Sequence, residues 1–311
     1  MKKLTKYISP ILLVLAALIW GLAFSAQKSA ESIPPLTLGA ARSLFAAVFL
    51  VFVIIGFDAA KGTRHLFSKK GIDLTRVELI GGIICGAVLA GASFFQQLGM
   101  NEGTDAGKAS FITALYVVLV PIYGMAIKRR APINVWISMP IAVVGFYLLC
   151  ITEGFSIEFS DLYVVISALI FPIHILAIDR FAPECDGVRM SCVQFLAAAV
   201  FNSVLALILE SPLDFAAIGG SILPVVYLGV CSSGIAYTLQ ILGQRGTNPA
   251  AASILLSLES VFGVLGAAVL LSEKMLVREY IGCAVVFVAV IISELDLGAL
   301  FKRKKDKPAS A

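Results

Sequence analysis

Ten apolar runs, each about 18 to 25 residues long, make up almost all of this chain, and that run length limits its fold more than any other feature. They fall at 9 to 27, 36 to 56, 78 to 98, 106 to 127, 133 to 151, 161 to 178, 190 to 209, 219 to 242, 249 to 271 and 276 to 295. At about 1.5 Å of rise per residue, each is long enough to cross a bilayer as a helix. Barrel strands are about ten residues long and alternate in polarity, so the runs do not fit a barrel. A soluble fold does not fit either: 59% of the 311 residues are hydrophobic and 14% charged, against about a quarter charged in an ordinary soluble domain. Lipid offers backbone groups no water, so each crossing must satisfy its own hydrogen bonds. The expected fold is an all-α integral membrane protein with ten transmembrane helices.

The basic residues orient it. With the amino terminus in the cytoplasm, the inner segments hold Lys2, Lys3, Lys6, Lys61, Arg64, Lys69, Lys70, Arg76, Lys128, Arg129, Arg130, Arg180, Arg189, Arg245 and the run Lys302, Arg303, Lys304, Lys305, Lys307. The outer segments hold Lys28, Lys108, Lys274 and Arg278. This asymmetry puts both termini inside, in keeping with an even number of spans in a cell inner membrane. Residues 296–311 then form a basic cytoplasmic tail that reads as a topology anchor rather than a nucleic-acid or lipid site, so the net charge of +4 needs no anionic partner. The first run is too long for a signal-peptide core and lacks a clear cleavage site, so it is expected to stay as a span.

Short phrases recur along the chain. Gly103-Thr104-Asp105-Ala106-Gly107-Lys108-Ala109-Ser110 returns as Gly246-Thr247-Asn248-Pro249-Ala250-Ala251-Ala252-Ser253, Ala17-Leu18-Ile19-Trp20 as Ala168-Leu169-Ile170-Phe171, and Ala47-Val48-Phe49 as Ala199-Val200-Phe201. The offset drifts from about 151 to 143, as a longer loop at 57 to 77 than at 210 to 218 would produce. The chain thus divides into a first five-helix repeat, 9–151, and a second, 161–295. Five crossings are odd, so the second copy enters the membrane inverted. Inverted halves place a pathway at their pseudo-two-fold axis, and exchanging their conformations exchanges the open face.

Several phrases resemble the EamA-type members of the drug/metabolite transporter superfamily. They are Ile19-Trp20-Gly21-Leu22-Ala23-Phe24 followed by Lys28; Arg42 near the outer end of the second span; Gln96-Gln97-Leu98-Gly99 with Thr104, Ala109, Ser110 and Pro121; and Leu258-Glu259-Ser260-Val261 with Leu271-Ser272-Glu273. Ser260 stands where the family carries a proline, which puts the kink expected there in question. The resemblance covers residues 10 to 297 and implies a transporter, in a family that handles amino acids, nucleosides, sugars, organic cations and other metabolites.

Candidate substrate-binding residues are Trp20, Arg42, Gln97, Thr113, Tyr116, His174, Gln194 and Glu259, and each has a plainer reading beside the functional one. Glu259 lies about ten residues into the ninth span, near mid-bilayer, where an unpaired charge costs at least ~2.5 kcal/mol. It is either an amine ligand or proton-coupling carboxylate, or a polar tie between helices. Its repeat counterpart is Tyr116. Arg42 is either an anion ligand or a snorkelling, helix-end arginine, and its counterpart is Gln194. Ala109, Thr113, Tyr116, Val120 and Tyr123 share one helical face, which suits a cavity wall or simple packing, and Pro121 is expected to bend that helix. The small-residue stripes Gly82-Gly86-Ala90-Ser93 and Ser253-Ser257-Ser260-Gly263-Ala267 read as packing, with Gln97 at the outer end of the first as an exception. Glu259 borders the second stripe. His174 is a proton relay or a local hydrogen-bonding group, Trp20 a stacking residue or core, and His65 lies in a basic inner loop.

Other function classes find little support. No Walker phosphate loop, G-x-S-x-G or H-E-x-x-H sequence is present, and the six scattered cysteines lack metal-ligand spacing and read as reduced and structural. The expectation is a secondary transporter, an exporter of small polar or amphipathic metabolites such as amino acids, with no cofactor or metal. Its partners are a small-molecule substrate and the lipid bilayer, with no nucleic acid, and it is a monomer or a homodimer. The alternatives are an intramembrane or lipid-modifying enzyme, and a non-transporting receptor or scaffold.

Overall fold

The computed structural model describes residues 2–61, 66–68, 71–150, 157–210, 215–270 and 275–295. The basic tail 296–311, His65 and the Leu271-Ser272-Glu273 phrase lie outside the described residues. Helices α1 (Lys2–Ser29), α2 (Pro35–Lys61), α3 (Arg76–Asn101), α4 (Ala106–Ala114), α5 (Tyr116–Ala126) and α6 (Ile133–Cys150) form the first half. The second half contains α7 (Phe159–Phe181), α8 (Gly187–Leu209), α9 (Phe215–Gly220), α10 (Ile222–Val226), a π-helical stretch Tyr227–Ala236, α11 (Tyr237–Gln244), α12 (Pro249–Leu256), α13 (Leu258–Leu270) and α14 (Val277–Glu294). Among the described residues, strands are limited to a two-residue antiparallel ladder, Phe67 with Ile72 and Ser68 with Gly71. Nine helices among them are long and apolar enough to cross a membrane. The tenth expected span, α14, is 18 residues long and carries Arg278, Glu279 and Glu294 at its ends.

The helix ends have local causes. Thr75 and Glu78 form a capping box at the start of α3, and Asp186 accepts from Val188 N and Arg189 N at the start of α8. Pro35 and Pro249 open α2 and α12, where a missing N–H costs nothing.

Two spans expected to be continuous are broken. The fourth is interrupted at Leu115 and the ninth at Ser257, within one residue of matching positions in the two repeats. At each break an i to i−3 bond tightens the turn, Val118 N to Leu115 O at 3.0 Å and Ser260 N to Ser257 O at 3.2 Å. The interruption therefore falls at Leu115 rather than at Pro121, which sits inside α5. A proline disturbs the carbonyl four residues before it, here that of Val117 inside α5, so Pro121 does not account for the break. The ninth span breaks equally well without a proline. The eighth span is corrected too, from one plain helix to short α segments flanking the π stretch.

Packing repeats between the halves. A Cβ on Gly99 would lie 2.9 Å from Ser160 O of α7, and one on Gly243 would lie 2.9 Å from Ser9 O of α1. Gly86 likewise meets the Gln194 carbonyl of α8, and Gly229 that of Arg42 in α2. These small residues let backbones approach closely, as the stripe on the third span suggested, and a Cβ on Gly263 of the ninth-span stripe would lie 3.1 Å from Gly21 O of α1. Helices at equal positions in the halves also pair directly, α2 with α8 and α6 with α14. Both pairs are tied at each end. Glu210 accepts from Leu36 N, Thr37 N and Thr37 Oγ1 at 2.7 to 2.9 Å, and Arg189 meets Asp58 at 2.6 Å at the opposite end. Asn134 donates to Ser293 O, and Arg278 to Leu148 O and Tyr147 O at 3.1 and 3.2 Å. All six cysteines are free.

Candidate functional site

The remaining helices, with Arg42 of α2, surround a cavity with about 550 Å³ of empty space, its open mouth included. Its wall uses matching positions of both halves. Trp20 and Phe171, Ala23 and His174, and Phe24 and Ile175 lie 151 residues apart, Thr113 and Leu256, and Tyr116 and Glu259, lie 143 apart, and all ten line it.

The helix breaks place the central pair. Tyr116 and Glu259 are each the first or second residue after a break, and Tyr116 Oη donates to Glu259 Oε1 at 3.3 Å. A few residues away Ser110 and Ser260 join their hydroxyls at 2.7 Å. The π stretch positions a second group. Its Ser233 hydroxyl accepts from Arg42 Nε at 3.1 Å, its Ser232 hydroxyl from Arg42 Nη2 at 3.5 Å, and its Ser232 carbonyl from Trp20 Nε1 at 3.0 Å. A π turn widens the helix and re-aims its polar groups, and such turns are frequent at functional sites. Arg42 is therefore not a snorkelling end residue: it is buried at 9% exposure and faces the cavity.

Tyr237 packs against Trp20 (4.6 Å between ring centroids), His174 (5.7 Å) and Phe195 (5.6 Å), giving the cavity an aromatic floor. A chain of amides braces another side: Gln27 Nε2 donates to Gln96 Oε1 at 3.2 Å, and Gln96 Nε2 to Thr113 Oγ1 at 3.0 Å.

The wall holds two ionisable side chains of opposite kind, the carboxyl of Glu259 and the guanidinium of Arg42. Glu259 is 6% exposed and Arg42 9%, and among the described residues neither lies within ion-pair distance of an opposite charge. A buried charge held only by neutral hydrogen bonds favours a ligand of opposite sign. No group of three His, Cys, Asp or Glu side chains converges among the described residues.

Six of the eight residues singled out from sequence thus line one cavity: Trp20, Arg42, Thr113, Tyr116, His174 and Glu259. Gln194 lies behind the wall, its Oε1 3.1 Å from His174 Nε2. Gln97 turns away from the cavity and donates to Asn101 Oδ1 at 2.8 Å and Gln27 O at 3.4 Å. Gln27, Ser93, Gln96, Phe171, Tyr237 and Gln240 were missed. For Phe171 the sequence held a usable signal, since it is the repeat counterpart of Trp20.

Helices that cross the bilayer, crosswise packing of two halves and a charged internal cavity define a multi-pass membrane protein of the transporter class. The chain belongs to the EamA-like transporter family, whose sequence model matches residues 8–151 and 158–295, a member family of the drug/metabolite transporter superfamily. It is 27% identical over 285 residues to a protein of Archaeoglobus fulgidus named an uncharacterized transporter, across 91% of this chain and 84% of that one. A solved crystal structure, described only as that of a protein, matches with a TM-score of 0.73 at 19% identity, covering 96% of this chain and 99% of its own. At that identity the likeness shows the fold alone.

Proposed function

We propose that this chain is a secondary transporter that exports small polar or amphipathic metabolites, amino acids and related compounds among them, by alternating access between two inverted five-helix repeats. In this reading the membrane is crossed ten times, α14 being the last crossing, and both termini lie on the cytoplasmic side of the inner membrane. In support of this topology, the ties that Glu210, Arg189 and Lys108 make between the halves join helix ends that the basic-residue pattern assigns to the same face.

The observation that carries the proposal is the pair of buried ionisable side chains of opposite kind, the carboxyl of Glu259 and the guanidinium of Arg42, neither in an ion pair among the described residues, in a cavity whose wall is shared by the two repeats. A solute with an amine and an acidic group satisfies both. Trp20, Phe24 and Tyr237 offer apolar faces to its body. Broken helices at the centre of each repeat give the two halves equivalent places to flex. Tyr116 holds Glu259 until the substrate or a proton takes over its carboxylate, and His174, oriented by Gln194, faces the same space.

A metabolite screen of deletion against overexpression cells identifies the solute and the direction together. Labelled solute should then exchange across liposomes containing the purified protein and be recovered chemically unchanged, whereas recovery of a modified compound would favour an enzyme. A pH-dependent flux that survives Glu259→Gln intact would remove that carboxylate from coupling.

A further inference from the structure

Gln240 of α11 lines the cavity with 2% of its surface exposed, and its Oε1 is buried without a hydrogen-bond partner among the described residues. Three other glutamines have one unpartnered amide atom, but each uses the other: Gln97 on Asn101, Gln194 on His174 and Gln244 on the Ile175 carbonyl at 3.2 Å. Gln240 Nε2 makes no hydrogen bond to the described residues either, so both polar atoms of this amide are unpaired in the structure. Buried polar groups are almost always paired, and an orphan facing a binding cavity is paired by what binds there.

Its neighbours in the wall do not compete for it. Gln27, Gln96 and Thr113 are joined to one another, Arg42 to Ser232 and Ser233, and Glu259 to Tyr116. A complete donor–acceptor amide is left facing a space that also holds two ionisable side chains of opposite kind.

We propose that Gln240 is the residue by which this cavity reads a neutral polar group, a hydroxyl or a carboxamide, on a small zwitterionic substrate. The carboxyl of Glu259 and the guanidinium of Arg42 hold the amine and acid ends, and Gln240 distinguishes one side chain from another. The inference rests on the transporter reading for the cavity's purpose and adds a substrate class to it. A site built to hydrogen-bond a substrate group rejects the analogue lacking that group, because the analogue leaves the buried amide unpaired.

The test uses the purified full-length protein and two matched pairs of probes, threonine against valine and glutamine against methionine. Binding is read from thermal stabilisation over a ligand titration, and transport from counterflow in proteoliposomes. Wild type should favour threonine and glutamine by about tenfold or more. Gln240→Met should bring both ratios to within about twofold, while valine and methionine bind at least as well as before. The ligand-free melting temperature of Gln240→Met should equal or exceed that of wild type, because an unpaired amide has been replaced by an apolar group of similar volume. Gln240→Leu provides a second folded variant with the same expected ratios. Equal affinities within each pair in wild type, unchanged ratios in the variants, or no binding of any of the four probes would overturn the proposal. Discrimination in binding with no counterflow would instead refute transport and leave the role of Gln240 standing.

Discussion

The two copies of the Gly-Thr turn, at 103–110 and 246–253, share a pattern of residues but are fastened differently. In the first, Gly103 takes a φ of +119°, Thr104 N reaches back to Gly99 O at 2.9 Å and Gly103 N to Met100 O at 3.4 Å, closing α3 in a Schellman turn. Thr104 Oγ1 then donates to Asp161 at 3.0 Å, and Lys108 lies 2.5 Å from the same carboxylate, tying the first half to the start of α7. In the second copy Gly246 and Thr247 make only i to i−3 bonds of 3.4 Å, the Thr247 hydroxyl is buried without a partner among the described residues, and Asn248 and Pro249 restart the helix. Where the first copy has Lys108 and Asp161, the second has Ala251 and Pro10. Both copies keep the bend, and the first turn carries an ion pair of its own where the second carries none among the described residues, the ion pairs Arg189–Asp58 and Arg129–Asp179 on that face lying outside the turn. The two turns therefore need not open equally easily.

The largest effect should come from cutting the fastened hinge. Asp161→Asn leaves Lys108 facing an uncharged group at a helix end where Asp161 is 2% and Lys108 17% exposed, which should cost about 3 kcal/mol, the low end for losing one partner of a buried pair. The melting temperature should fall sharply, and hydrogen exchange should rise at residues 103–110 and not at 246–253. Equal exchange at both turns would erase the distinction between them.

Next in size are Gly99→Ala and Gly243→Ala, which test what the halves have in common. Each new Cβ lies 2.9 Å from a backbone oxygen, so each should cost about 1 to 3 kcal/mol, by similar amounts, in chemical or thermal unfolding. Gly91→Ala on the same helix as Gly99 meets none of the described residues within 4 Å and serves as the control, neutral or slightly stabilising.

Smaller still is Tyr116→Phe, which removes one 3.3 Å hydrogen bond from Glu259. A change of about 1 kcal/mol, or roughly fivefold in apparent affinity or rate, is expected in proteoliposome flux. If Tyr116→Phe and Glu259→Gln both leave substrate preference untouched, the asymmetric pair plays no part in selectivity. The smallest effect is that of Thr247→Val, which deletes the unpartnered hydroxyl at the loose hinge. It should change stability by less than about 1 kcal/mol and tend to raise it.

Much of this arrangement could be read from the order of residues. Run length placed the helices, and the 143-residue echo together with helical periodicity brought Tyr116 and Glu259 to matching depth, where they meet. Gln97 and Gln240 show where such reading stops. Gln96 and Gln97 point about 100° apart on one helix, and the neighbours decide which of them sees the cavity. In α3 it is Gln96; in the second half the π stretch rotates the helical turns after it, and Gln240, the echo of Gln97, faces inward. Nothing local announces that stretch, because contacts more than 190 residues away, from Trp20 and Arg42, hold its serines. The break in the ninth span, at Ser257, falls three residues before Ser260, where the family resemblance pointed to a kink and this chain has no proline to disclose it.

The crosswise pairing of α2 with α8 and α6 with α14 bears on how the chain is made. When the first five helices have left the ribosome, most of the surfaces they are shaped to meet have not been synthesised, and Arg42 still lacks Ser232 and Ser233. Until the eighth span arrives Arg42 lacks the hydroxyls that hold it, so the first half should be less stable alone than within the whole chain. An amino-terminal fragment ending at the inter-repeat linker should be short-lived in cells and should be rescued by supplying the other half as a separate chain.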